Sequence, residues 1–120
     1  MTTSMTPSEP PALLNEVRLT ARVTRAPDER ELPSGDRVVL VGVCIPRPGR
    51  AGARPGAVDA LDCTAWSAKV RRTVSSWRVG DIVTVEGSVR RRFFRAGGGA
   101  ASRYEVEVSA ARRLWRFPGA

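Results

Sequence analysis

Residues 67–89 read S-A-K-V-R-R-T-V-S-S-W-R-V-G-D-I-V-T-V-E-G-S-V, and their periodicity changes once. Ser67 is placed to cap a helix, because its hydroxyl can accept from a first-turn N–H that has no partner inside the helix. Val70, Val74 and Trp77 then fall at i, i+4 and i+7, one apolar stripe, with Lys69, Arg71 and Arg72 facing away. Gly80-Asp81 stops the helix. Ile82, Val83, Val85, Gly87 and Val89 follow as a strand. One short amphipathic helix thus opens directly into a strand, and the segments on either side of it decide the fold.

Upstream, Val17, Leu19, Ala21 and Val23 alternate with Arg18, Thr20, Arg22 and Thr24, the pattern of a half-buried strand. Pro27 is expected to end it. Arg30 to Leu32 pairs briefly with the next strand across the Pro33-Ser34-Gly35 turn. Arg37 to Ile45 is a β-branched run too apolar to face water for long on either side, with Gly42 marking a bulge or sharp bend. Pro46 to Gly56, rich in Pro, Gly and Arg, is a loop. Asp59 to Trp66 alternates loosely, with Leu61, Cys63 and Ala65 on one side and Ala60, Asp62, Thr64 and Trp66 on the other.

Downstream, residues 87–104 read G-S-V-R-R-R-F-F-R-A-G-G-G-A-A-S-R-Y. A strand runs into three arginines, two phenylalanines and a glycine tip, and the chain returns with Tyr104, Val106 and Val108 alternating with Arg103, Glu105 and Glu107. The alternation puts Tyr104 on the buried side. The order is strand, short strand, strand, strand, helix, long hairpin. It predicts an all-β protein, a five-stranded antiparallel Greek-key OB barrel whose one short helix lies between the third and fourth major strands and plugs the bottom. The domain is expected over residues 14–111, after a disordered lead-in at 1–13 and before a short C-terminal extension at 112–120 that includes Trp115.

The net charge is +8, and it is unevenly placed. Residues 1–68 hold eight arginines and eight acids, whereas residues 69–120 hold twelve basic residues and four acids. A one-sided basic field attracts polyanions, nucleic acid first. No run of 18 apolar residues exists, so no membrane helix is expected, and the N-terminus has no signal-peptide pattern. A cytoplasmic protein without membrane contact is the expectation. Cys44 and Cys63 match no metal spacing and read as small buried hydrophobes. Histidine is absent, no paired carboxylates form a motif, and Gly97-Gly98-Gly99 lies between strands, so neither catalysis, a metal nor a cofactor is expected.

The hairpin carries the positive reading. Guanidinium groups attract phosphates, and exposed aromatic rings stack on unpaired bases. Phe93 and Phe94 point to opposite faces. Phe94 shares its face with Arg90 and Arg92, while Phe93 is either core or a second platform. Arg91, Arg95 and Arg103 add cations. Trp66 lies opposite Leu61, Cys63 and Ala65, where it can stack. Arg22 on the outer side of the first strand can touch DNA or flank a subunit contact.

Several local motifs, in order, resemble the bacterial single-stranded DNA-binding protein (SSB) family. Asn15-Glu16-Val17-Arg18-Leu19-Thr20-Ala21-Arg22-Val23 is similar to that family's opening N-x-V-x-L-x-G-R-L, with Ala21 where Gly is usual. Pro27-Asp28-Glu29-Arg30 and Ser34-Gly35 resemble its P-E-x-R and turn. Arg78-Val79-Gly80-Asp81-Ile82-Val83-Thr84-Val85-Glu86-Gly87 resembles its K-G-D-x-V-x-V-E-G block, and Arg103-Tyr104-Glu105-Val106-Glu107-Val108 its R-Y-x-x-E-V. The resemblance puts Trp66 and Phe94 on two of the family's stacking positions and leaves two others empty, near Ala60 and near Gly49. It implies a homo-oligomer, a tetramer built as a dimer of dimers, in a short form without the acidic recruiting tail.

The reading is therefore sequence-independent binding and protection of single-stranded DNA during replication, repair, recombination or DNA uptake. Bases would stack on Trp66 and Phe94, with Phe93 as a further ring. Arg90, Arg91, Arg92, Arg95, Arg103 and Arg22 would supply cations. The alternative is an OB-fold protein-interaction module of a primosome-type assembly, which the missing stacking positions favour and the basic hairpin opposes.

Overall fold

The structure, a computed structural model, describes residues 8–48 and 56–119. The lead-in expected at 1–13 lies partly outside these residues, and the empty stacking position near Gly49 lies wholly outside. Five strands and one helix follow in the order β1 (Val17–Glu31), β2 (Arg37–Pro46), β3 (Val58–Ala65), α1 (Ala68–Ser75), β4 (Ile82–Ala96) and β5 (Gly99–Trp115). The strands close into a barrel in the order β1-β2-β3-β5-β4. Four pairings are antiparallel, and the fifth, β3 with β5, is parallel. The helix between β3 and β4 carries the chain to the position from which β5 can run alongside β3.

The core is what the alternation demanded. Ala21 and Val23 of β1, Val39, Val41 and Val43 of β2, Cys63 and Ala65 of β3, Val83 and Val85 of β4, and Val106 and Val108 of β5 point inward and are buried. Val70, Val74 and Trp77 close one end. Ser67 caps α1, its Oγ accepting from the Val70 N–H at 3.2 Å. Arg71 does not face away as expected. Its Nε donates to the Trp66 carbonyl at 3.0 Å, because the guanidinium reaches the unfilled acceptor just outside the helix.

Pro27 does not end the first strand. β1 runs through it to Glu31, with register shifts between Val23 and Arg25 and between Arg25 and Asp28. Proline is tolerated at such irregularities because the N–H it lacks is not needed there. The expected short strand is the far end of β1, with Arg30 opposite Val38 and Glu31 opposite Arg37. Gly42 sits opposite the irregularity, where the Arg25 side chain crosses over it. A Cβ at Gly42 would stand 2.8 Å from the Cβ of Arg25.

The expected extension at 112–120 begins too early. Arg112, Arg113 and Trp115 still pair with β4. Beyond them Phe117 lies against Gly80, and its N–H donates to Asp81 Oδ1 at 2.9 Å. Both cysteines are free, but only Cys63 is buried; Cys44 alternates with the inward valines of β2 and is half-buried.

Candidate nucleic-acid interface

β4 and β5 are longer than the barrel needs. Val106 is buried, yet Val89 opposite it is already exposed, which marks the rim. Beyond that rim the two strands stand free as an arm from Arg90 to Arg103. Below the arm β4 and β5 shift register between Glu86 and Gly87, an irregularity of the kind that bends a strand, and a Cβ at residue 87 would collide with the Glu107 carbonyl. At the arm's root Asn15 acts as an extra strand residue. Its Nδ2 donates to the Val89 carbonyl at 2.9 Å and its Oδ1 accepts from the Val89 N–H at 2.8 Å.

The arm explains two departures from expectation. Tyr104 has the inward parity of Val106 and Val108, but it is 65% exposed because no barrel remains beneath it. Phe93 is 68% exposed for the same reason, so it is no core residue. Parity gives the face a residue shares, and only the length of the barrel gives what lies under that face.

The outer face of the arm joins the outer face of β3. Arg92 and Arg103 are direct cross-strand partners. Arg92 lies over the Trp66 ring, 5.2 Å from its centroid, and Arg103 over the Phe94 ring at 5.4 Å. Trp66, Arg92, Arg103 and Phe94 therefore form one row, with Trp66 half-buried and Phe94 40% exposed. Arg25, Arg30 and Leu40 continue the row as a shallow groove beside Arg103.

Three carboxylates tie these arginines down. Glu105 is buried, and its Oε2 accepts from Arg92 Nε and from Thr64 Oγ1, each at 3.0 Å. Asp62 pairs with Arg25 and sits 4.0 Å from Arg103. Glu107 faces Arg90 at 3.9 Å. Cys63 lies behind this group. Burial, then Asp62 and Glu105, push its thiol pKa up to about 12. Sequence reasoning missed Glu105, Asp62, Arg25 and Asn15 as parts of the site. The alternation of Glu105 and Glu107 opposite Arg90 and Arg92 was the available signal for the ion pairs.

The other face of the arm holds Arg91, Phe93, Arg95, Ser102 and Tyr104. The Arg91 guanidinium lies 4.9 Å from the Phe93 centroid and 5.7 Å from that of Tyr104. Arg22 is not brought to either face. Its Nη1 donates to the Gly80 carbonyl at 2.8 Å, and it pairs with Ile82, at the opposite end of β4. Ala60, the empty stacking position that can be seen, is an exposed residue of β3.

A family profile described as the single-strand binding protein family matches residues 14–114. The chain belongs to this family. Among curated SSB relatives, a single-stranded DNA-binding protein of Oceanobacillus iheyensis is 30% identical over 98 residues, 82% of this chain and 60% of the relative. Single-stranded DNA-binding protein 3 of Listeria innocua is 26% identical over the same share of this chain and 61% of its own. The chain thus spans about three fifths of the length of these two relatives. Single-stranded DNA-binding protein B of Bacillus subtilis, 28% identical, is matched over 86% of its length. In fold, the barrel superposes on Plasmodium falciparum SSB in its complex with ssDNA with a TM-score of 0.73 at 20% identity, covering 88% of this chain and 99% of that one. It also matches the mitochondrial single-stranded DNA-binding protein Rim1 of Saccharomyces cerevisiae, with a TM-score of 0.68 at 12% identity, over 88% of this chain and 99% of that one. No helix among the described residues of this SSB chain is long and apolar enough to cross a membrane.

Proposed function

We propose that this chain binds single-stranded DNA without sequence specificity and shields it during replication, repair, recombination or uptake. The observation that carries the reading is the continuous row Trp66–Arg92–Arg103–Phe94 on the outer face of an SSB-family barrel. A base lying on that row meets a π face at Phe94 and a guanidinium plane backed by an indole at Arg92. Both stack on any base, which is why the contact ignores sequence. Phosphates meet Arg90 and Arg103, whose exposed ion pairs contribute only about 0–1 kcal/mol each and exchange readily for a phosphate oxygen. No bond is made or broken. On this reading the chain works in the cytoplasm, at the nucleoid, where single-stranded DNA is exposed. Family resemblance supports a homo-oligomer, a tetramer of the dimer-of-dimers kind, whose mass light scattering measures.

The test is a titration with oligo-dT at two salt concentrations, followed by tryptophan fluorescence, with duplex of equal length beside it. Affinity should fall with salt along a log–log slope of about −0.7 per phosphate neutralised, and duplex should bind far more weakly. Phe94→Ala should weaken binding roughly 5–150-fold at either salt, the value of one stacked base. An equal response to single strand and duplex would show generic polyanion attraction. An unaltered affinity in Phe94→Ala would remove the row from the site and favour the protein-interaction module.

A further inference from the structure

The arm has two faces, and their charges differ in kind. On the face shared with Trp66, Arg90, Arg92 and Arg103 each have a carboxylate within 4.0 Å, namely Glu107, Glu105 and Asp62. On the opposite face the strand register places Arg91, Phe93 and Arg95 against Tyr104, Ser102 and Ala100, and none of these is acidic. Arg91 donates from Nε and Nη2 to the Ser102 hydroxyl at 3.2 and 3.1 Å, and no carboxylate among the described residues lies within ion-pair distance of Arg91 or Arg95. The uncompensated positive charge of the arm is therefore on the face away from Trp66. Two of the most exposed aromatic rings of the molecule lie there too, Phe93 and Tyr104, with one guanidinium lying over both.

We propose that this opposite face is a second binding face for the same single strand, which passes over the arm after leaving the Trp66 row. Phe93 and Tyr104 are its stacking rings, and Arg91 and Arg95 its phosphate contacts. The inference rests on the strand-binding reading above and adds a second station to it. Three physical points select a nucleic-acid strand as the occupant. Exposed apolar rings interleaved with cations that lack counter-ions match the alternation of bases and phosphates along a strand. A cation without a partner carboxylate gives its full charge to a phosphate, whereas Arg92 must keep Glu105 neutralised. A second copy of this chain is a poor occupant, because a two-fold contact would set this cationic patch, which holds no carboxylate, against its own copy. The arm is only two strands wide, about 5 Å between strand axes, so a strand leaving one face has a single narrow edge to cross before it meets the other.

The experiment compares the full chain with the double variant Phe93→Ala/Tyr104→Ala and with the charge reversal Arg91→Glu. Each is titrated with an oligo-dT of about 8 nucleotides, within the ~4–16 that one OB fold covers, and with one several times longer. All three residues are exposed and lie beyond the barrel, so circular dichroism should show an unchanged fold. The double variant should lose tenfold or more in affinity for the long oligonucleotide, roughly the value of one to two stacked bases, and keep its affinity for the short one. Arg91→Glu should flatten the salt slope for the long oligonucleotide by about 0.7 or more and leave the short one unmoved. Wild-type affinity of both variants for both lengths would overturn the proposal. An equal loss at both lengths would overturn it as well, since the two faces would then be one site. A lower assembly mass with unchanged DNA affinity would make the face a protein contact instead. Failure of the unaltered chain to bind either oligonucleotide would overturn the strand-binding reading itself.

Discussion

Glu105 shows how one residue can change the meaning of its neighbours. A carboxylate buried on the outer wall of a barrel is costly unless its lone pairs are filled and its charge is met. Arg92 and Thr64 do both. Arg92 is consequently a structural cation, and in the proposed binding mode only its remaining N–H groups, on Nη1 and Nη2, are left for a strand. Phe94 is the cleaner probe of stacking, because nothing buried depends on it. Cys63 reports the same group of charges from the inside. At the ordinary thiol value of 9.0 a measurable fraction is thiolate at pH 8, whereas at about 12 that fraction is roughly a thousandfold smaller. In the native protein a thiol reagent at pH 8 should therefore modify one cysteine, the half-buried Cys44, and reach Cys63 only on unfolding. Labelling rates followed by intact mass measure this, and equal rates for the two in the native state would contradict the buried placement of Cys63.

At the scale of elements, the strands of the barrel were legible because each buries one side against a common core. Val17 to Val23, Val39 to Val43 and Val83 to Val85 alternate in sequence and in space. The helix was legible from its cap and stripe. Legibility ended where the core did. The sequence alternation continues unbroken from Val108 through Val106 to Tyr104, but burial stops at the rim, so Tyr104 and Phe93 carry the pattern of core residues into solvent. Pro27 was misread because local propensity says nothing of a bulge set by the partner strand. The Asp62–Arg103 contact was hidden because the two residues meet only through the parallel pairing of β3 with β5. The register shift below the arm is a sensitive point. Gly87 pairs with Val17 on one side and Val108 on the other, and a methyl group there has no room against the Glu107 carbonyl. Gly87→Ala must move the backbone of β5, so we expect about 2–4 kcal/mol of destabilisation in urea unfolding, at the upper end of single substitutions. A loss below about 0.5 kcal/mol would mean that the backbone there adapts freely.

The whole molecule is closed at the end opposite the arm, and one carboxylate gathers that closure. Asp81 is buried. Its Oδ2 accepts from the Arg78 N–H at 2.9 Å and lies 3.5 Å from Arg116 Nε, and its Oδ1 accepts from the Phe117 N–H. Its own backbone carbonyl accepts from Val23 at 2.9 Å. The turn after α1, the start of β4, the middle of β1 and the segment after β5 thus meet at one residue. Burial taken alone, the largest single influence, would raise its pKa. The N–H donors of Phe117 and Arg78, with the positive charges of Arg116 and Arg113, outweigh it together and hold the carboxyl below its ordinary value. The sign follows by linkage. A depressed carboxyl pKa means that the unfolded chain takes up the proton first as pH falls, so the stabilisation is complete above about pH 4 and is lost as pH drops through the lower native value. Asp81→Asn keeps the shape, removes the charge and turns one acceptor into a donor facing the Phe117 or Arg78 N–H. At pH 7 the variant should melt roughly 5–15 °C below the unaltered chain, as the loss of one or two buried hydrogen bonds implies for a domain of this size. As the pH falls below the ordinary carboxylate range and the native carboxyl also takes up its proton, that gap should narrow because both proteins then carry a neutral side chain at this position. A gap that stays constant as the pH falls would show that Asp81 closes the barrel through the two hydrogen bonds it accepts, without its charge.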